Sequence, residues 1–179
     1  MPRGCEQLYY GRHFSLLIGM AGSIAIASLQ PIMPGPVAAF ALYGALHASA
    51  LVLTLRRAPP LRRRLLFIAA ACLLSLSIAY VGLHAARIAG LAHAHFGPRA
   101  ILAACSIAGA LGYGFLIRAL RMLELGVSAL ALIGLACALA TGAAFYAGTR
   151  YGVPWGVSLA VAWWCAFSGG LWFLDRGRN

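Results

Sequence analysis

The chain contains six long stretches without a charged side chain, and most of them match the length that a helix needs to cross a lipid bilayer. Because a helix rises about 1.5 Å per residue and the hydrocarbon layer is about 30 Å thick, a spanning helix needs roughly 20 apolar residues. The sequence therefore predicts an all-α, polytopic integral membrane protein, a compact bundle of six transmembrane helices in one domain. The predicted spans are residues 12–30, 36–55, 65–86, 99–118, 125–148 and 153–174.

Composition supports the same class of protein. With 63% hydrophobic and 9% charged residues, the 179-residue chain has too little polar surface to cover a water-soluble globule. The first apolar stretch, Phe14 to Leu29, is the shortest. A secretory signal is its alternative interpretation, because two arginines precede it and Ala25-Ile26-Ala27 is similar to a cleavage site. We favour a span.

The arginines predict how the chain is threaded through the membrane, because arginine-rich loops are hard to translocate and stay cytoplasmic. Eleven of the fourteen fall at one end of the predicted bundle: Arg3, Arg12, Arg56, Arg57, Arg62, Arg63, Arg64, Arg118, Arg121, Arg176 and Arg178. The other end has only Arg87, Arg99 and Arg150. We therefore expect both termini to be cytoplasmic. Arginine without lysine, beside abundant alanine, glycine and leucine, is typical of GC-rich bacterial coding, which favours a bacterial inner membrane.

The net charge of +11 arises from the same arginines that predict the orientation of the chain in the membrane. In a water-soluble chain it would indicate a nucleic-acid partner, but here attraction to anionic lipid head groups explains it, and no nucleic acid is expected. Pro59 and Pro60 interrupt the densest patch and prevent a continuous basic helix. We expect this basic loop to contact lipid, with an acidic partner protein as the alternative. Its arginines are Arg56, Arg57, Arg62, Arg63 and Arg64.

Small residues recur at every fourth position in four of the predicted spans. They are Ser15, Gly19 and Ser23; Ala41, Ala45 and Ser49; Ala104, Ala108 and Gly112; and Gly134, Ala138 and Gly142. Such stripes let helix backbones approach closely, so they predict tight packing within the bundle. A face for another membrane subunit is the alternative interpretation.

Groups that could carry catalysis are scarce. The three acidic residues, Glu6, Glu124 and Asp175, lie at the predicted cytoplasmic edge, and no span contains a carboxylate. Because ionisable groups inside membranes are costly and persist mainly for function, this disfavours acid–base catalysis and acid-lined ion pathways. The five cysteines lack Cys-x-x-Cys spacing, and no nucleotide-binding motif is present. No motif assigns a cofactor.

Histidine and aromatic residues are the remaining candidates for a binding site. His47 lies within span two, and His84 lies near the outer end of span three. Their depths differ by about 16 Å at 1.5 Å per residue, which excludes haem held between this pair. We expect a solute site at the bundle centre, if there is one, to be lined by His47, Tyr43, Tyr80, Tyr113, Trp163 and Trp164.

The outer face offers a second candidate site. His84, His93 and His95 would converge if the connection after span three turned back on itself, and His-x-His is a usable metal-ligand spacing. Two histidines in an ordinary polar loop are the alternative interpretation.

We favour a non-enzymatic inner-membrane protein that serves as an accessory or assembly subunit and packs against another membrane protein or a second copy of itself. The first alternative is a carrier or substrate-binding subunit for a small neutral or weakly polar solute. The second alternative is a metal or quinone site at the outer histidines.

Overall fold

The computed structural model describes residues 3–29, 36–54, 60–91, 97–122, 125–152 and 155–176. All of the regular structure in these residues is helical, so the prediction of an all-α chain is confirmed. The six helices are α1 (Arg3–Leu29), α2 (Pro36–Thr54), α3 (Leu61–Leu91), α4 (Gly97–Ala119), α5 (Val127–Tyr151) and α6 (Trp155–Arg176).

Three of these helices are long and apolar enough to cross a membrane. Their candidate spans are Leu61–Ile88 in α3, Arg99–Ala119 in α4 and Val127–Tyr151 in α5. The described parts of the other helices contain shorter apolar segments, Phe14–Leu29, Ala38–Leu53 and Ser158–Phe173. Large apolar side chains are exposed on every helix, among them Leu17, Leu53, Leu73, Phe115, Leu139 and Phe173. An apolar exterior of this extent is typical of a protein surrounded by lipid.

Proline and glycine set several helix ends. The carbonyl of Pro60 accepts hydrogen bonds from the backbone N–H groups of Arg63 and Arg64, at 2.9 and 3.2 Å, so α3 begins directly after the proline pair. At the end of α5, Gly152 adopts φ 70° and its N–H donates to the carbonyl of Gly148 at 3.1 Å. Glycine accepts this left-handed conformation without strain and thereby ends the helix.

Neighbouring helices run antiparallel. Between α4 and α5, Ser106 bonds Thr141, whereas Gly114, later in α4, lies against Leu130, earlier in α5. The same reversal is seen between α3 and α4. Each helix packs on the next, and α1 also packs on α6. The six helices therefore form a closed ring, and the faces that point inward meet at its centre.

The predicted small-residue stripes have two different environments. Ser15, Gly19 and Ser23 of α1 are all buried, and Gly134 of α5 is buried against α4. Ala104 and Ala108 of α4 are exposed. Close packing within the molecule therefore explains the first stripe completely and the α4 stripe only in part.

Candidate functional site

The centre of the ring contains a group of stacked side chains, here named the central ring cluster: Tyr43, His47, Tyr113, Trp163, Trp164 and Phe167. The imidazole of His47 in α2 stacks on the indole of Trp164 in α6, with ring centroids 4.5 Å apart and planes 10° apart. Trp163 stacks on Phe167 at 5.0 Å. Tyr113 of α4 meets both of these rings edge to face, at 5.4 and 5.7 Å. All of these are contact distances for aromatic pairs.

The two adjacent tryptophans connect α6 to two different helices. Consecutive residues of a helix point about 100° apart, so Trp163 and Trp164 face different neighbours. The indole N–H of Trp163 donates to the carbonyl of Ser106 in α4 at 3.1 Å. That of Trp164 donates to the carbonyl of Ser15 in α1 at 3.4 Å. Both polar atoms of the pair are thus satisfied by backbone, which is the condition for burying an indole.

His47 joins α2 to α1 through its side chain. Its Nε2 atom lies 3.1 Å from the hydroxyl oxygen of Ser23, and both residues are buried. By sequence, all three carboxylates lie near helix ends, so no acidic residue is placed at the depth of His47. A histidine without an acidic partner at its own depth suits a hydrogen-bonding role better than proton transfer.

The two tyrosines of the cluster differ in how their hydroxyls are satisfied. The Tyr113 hydroxyl donates to the carbonyl of Gly44 at 3.1 Å, and the Ser75 hydroxyl lies 3.4 Å from the Tyr113 hydroxyl oxygen. The Tyr43 side chain is only 6% exposed, yet within the described residues its hydroxyl has no hydrogen-bond partner. A buried polar group left in this state costs about 1–3 kcal/mol. An additional partner at the Tyr43 hydroxyl would therefore be favourable.

The structure brings together five of the six residues that the sequence nominated for this centre. Tyr80 lies elsewhere: it is 60% exposed on α3 and meets His84 edge to face, with ring centroids 4.4 Å apart. Sequence reasoning missed Phe167 and Ser23 as neighbours of the cluster. The signal for Phe167 was available, because it follows Trp163 by four positions and so shares its helix face.

The outer histidines are only partly within the described residues. His84 is exposed near the end of α3, while His93 and His95 lie outside the described residues. Among the side chains that the structure describes, no three histidine, cysteine or acidic groups form a metal site. The outer metal or quinone site stays a prediction.

The basic loop is shorter than the sequence suggested. Arg62, Arg63 and Arg64 belong to the first turn of α3, with the first two exposed, whereas Arg56 and Arg57 lie outside the described residues. The reason is Pro60, which precedes the first turn and allows the helix to begin ahead of the arginines.

Comparison of the chain with protein-family models, with curated proteins and with solved structures gives no match.

Proposed function

We propose that all six helices cross a bacterial inner membrane with both termini in the cytoplasm, and that the protein is a non-enzymatic accessory or assembly subunit. In this role it acts by packing against another membrane protein or a second copy of itself. The proposal extends the three candidate spans to the shorter apolar helices, because α1, α2 and α6 pack in the same antiparallel ring as α3 to α5.

The contact between aromatic rings at the centre of the helix ring is the observation that carries this proposal. His47, Trp163, Trp164 and Phe167 contact one another at ring-to-ring distances of 4.5 to 6.3 Å. Aromatic rings at these separations are in direct contact and leave no room for a solute between them. A molecule whose central rings are in contact, and whose helices reach from one face of the membrane to the other, presents mainly its lipid-facing surface to partners.

The exposed face of α4 is where we place the partner contact. Ala100, Ala104 and Ala108 follow one another at four-residue spacing and are exposed, on the side of α4 opposite Tyr113. Alanines at this spacing form a flat strip on which a second helix approaches closely, and in lipid such close packing drives helix association. Gly112, the last member of the predicted stripe, instead lies against Leu74 of α3.

Site-specific photocrosslinking in cells tests this proposal. A photoreactive amino acid at Ala104 is expected to form one protein adduct of defined mass, identified by mass spectrometry. The same group at Leu139, which is 67% exposed on α5, serves as the control and is expected to react with lipid only. Ala104→Leu should reduce an adduct formed from position 108 at least fivefold. Equal behaviour at positions 104 and 139 would contradict the proposal.

A second candidate function is favoured by one observation, the partnerless hydroxyl of Tyr43. A small neutral solute with a hydrogen-bond acceptor would satisfy this hydroxyl, as expected of a carrier or substrate-binding subunit. Such a solute would stay bound to the protein during purification in mild detergent, and mass spectrometry would detect it. It would be lost from Tyr43→Phe and retained by Leu42→Ala, which changes an exposed side chain of the same helix. Purified protein without a bound small molecule would contradict this candidate.

A further inference from the structure

A cleft lies between α4 and α5 at the end of the ring that carries few arginines. Its volume is about 170 Å³. Arg99 is two residues from the start of α4, and Tyr146 is five residues from the end of α5. At 1.5 Å per residue these positions are within about 8 Å of the helix ends, which is the depth of lipid head groups in a spanning bundle.

The floor of the cleft is apolar and open. Leu102 of α4 and Phe145 of α5 form its walls, and Gly142 lies between the two helices without a side chain. A Cβ atom at Gly142 would meet no atom within 4 Å, so nothing in the described residues fills the space above it. A groove with this lining suits a flexible hydrocarbon chain, because its apolar walls contact methylene groups through dispersion, which is the packing force available inside a membrane.

The rim of the cleft is polar and cationic. Arg99 is exposed at one side, and Tyr146, 62% exposed, lies at the other. Thr149 donates its hydroxyl to the carbonyl of Tyr146 at 2.8 Å, which leaves its oxygen free to accept but not to donate. An arginine and a tyrosine hydroxyl at one rim are the donors that a phosphate diester would use.

The charge distribution favours an external anion as the partner of Arg99. By sequence, the carboxylates of Glu6, Glu124 and Asp175 all belong to the opposite end of the antiparallel ring. Arg87 and Arg150 are at the same end as Arg99, so this end has three cations and no acidic side chain to neutralise them. The N-terminal end of α4 adds a partial positive charge at the same place.

We propose that this cleft binds one anionic glycerophospholipid. The phosphate is held by Arg99 and the hydroxyl of Tyr146, and one acyl chain lies over Gly142 between Leu102 and Phe145. This inference is separate from the proposed partner contact, because it uses the junction of α4 and α5 and not the exposed alanines of α4.

Native mass spectrometry of the full-length protein, released from nanodiscs, tests the site. Nanodiscs with equal amounts of phosphatidylglycerol and phosphatidylcholine are expected to give one retained phosphatidylglycerol at least fivefold more often than phosphatidylcholine. Arg99→Ala removes the cation, and Gly142→Leu adds bulk to the floor at a position where the new Cβ atom meets no atom within 4 Å. Each variant should lose this preference by fivefold or more while keeping wild-type helix content.

The controls are matched in chemistry and position. Arg87→Ala removes an exposed arginine at the same end of the ring, and Ala143→Leu adds the same bulk at the next residue, outside the cleft. Both should retain lipid as the wild type does. Equal retention of the two lipids, an Arg99→Ala variant that behaves like Arg87→Ala, or a Gly142→Leu variant that behaves like Ala143→Leu would overturn the proposal. Displacement of the bound anion by inorganic phosphate would do so as well.

Discussion

At the scale of single residues, Gly19 shows how closely two helices approach. A Cβ atom at this position would overlap the indole of Trp164, which is fully buried and has no space to move into. We expect Gly19→Ala to lower the free energy of unfolding by about 1–3 kcal/mol, the usual effect of overpacking a core. Denaturation in mixed detergent micelles measures this. Gly142→Ala, where the added methyl meets no atom within 4 Å, should instead raise this free energy by about 0.5–1 kcal/mol, because alanine favours a helix interior more than glycine does. Equal stability of the two variants would contradict the tight contact.

The hydroxyls of Tyr43 and Tyr113 allow a second comparison between single residues. Tyr43→Phe removes a buried hydroxyl without a partner in the described residues, so we expect the protein to gain about 1 kcal/mol of stability. Tyr113→Phe breaks the bond to the carbonyl of Gly44 and should lose a similar amount. The same unfolding assay measures both. A loss for Tyr43→Phe would mean that its hydroxyl binds a partner in the membrane, as the solute-binding candidate requires.

At the scale of helices, the bond between Ser106 and Thr141 joins α4 to α5. Their hydroxyl oxygens are 2.8 Å apart, and each hydroxyl also has a backbone carbonyl of its own helix within reach. Because those carbonyls compete for the protons, we expect a double-mutant cycle of Ser106→Ala and Thr141→Ala to give a coupling of about 0.6 kcal/mol, the average for bonds between membrane helices. A coupling near zero would show that the two hydroxyls bond only within their own helices.

The helices could be predicted from the sequence, because the signals that form and end a helix lie in its own residues. Apolar length predicts six helices, and Pro60 marks a boundary because proline restricts the backbone where it stands. The sequence predicts the third span only from residue 65, because charged residues such as Arg62 interrupt the apolar run. In the structure α3 begins at Leu61, since a helix extends past the apolar layer wherever its hydrogen bonds continue.

The pairing of helices in the central ring cluster was only partly predictable. Spacing placed Tyr43 and His47 on one face of α2, but it does not say which helix that face meets. In lipid the outward face of a helix is as apolar as the inward one, so apolar periodicity does not separate the two. For the same reason the sequence did not distinguish Trp163, which lies inside, from Tyr80, which lies outside.

At the scale of the whole molecule, the unequal placement of arginine predicts on which side of the membrane each end of the ring lies. Ser28, at the end of α1, and Ser128, at the start of α5, are both exposed and lie at opposite ends. Ser128 lies at the end to which the sequence assigns eleven arginines, and translocating that end would carry most of the positive charge of the chain across the membrane. We therefore expect Ser28 outside and Ser128 inside.

Cysteine labelling measures this orientation with a matched pair of substitutions. Ser28→Cys and Ser128→Cys are made in a chain whose five native cysteines are replaced by alanine. A membrane-impermeant maleimide added to intact spheroplasts should label the cysteine at 28 and not the one at 128, and permeabilisation should make both reactive. Because only position differs between the two variants, unequal labelling reports the side of the membrane and not the reactivity of the thiol. Labelling of position 128 alone would reverse the orientation, and labelling of both in intact spheroplasts would mean that the ring does not span the bilayer with its ends on opposite sides.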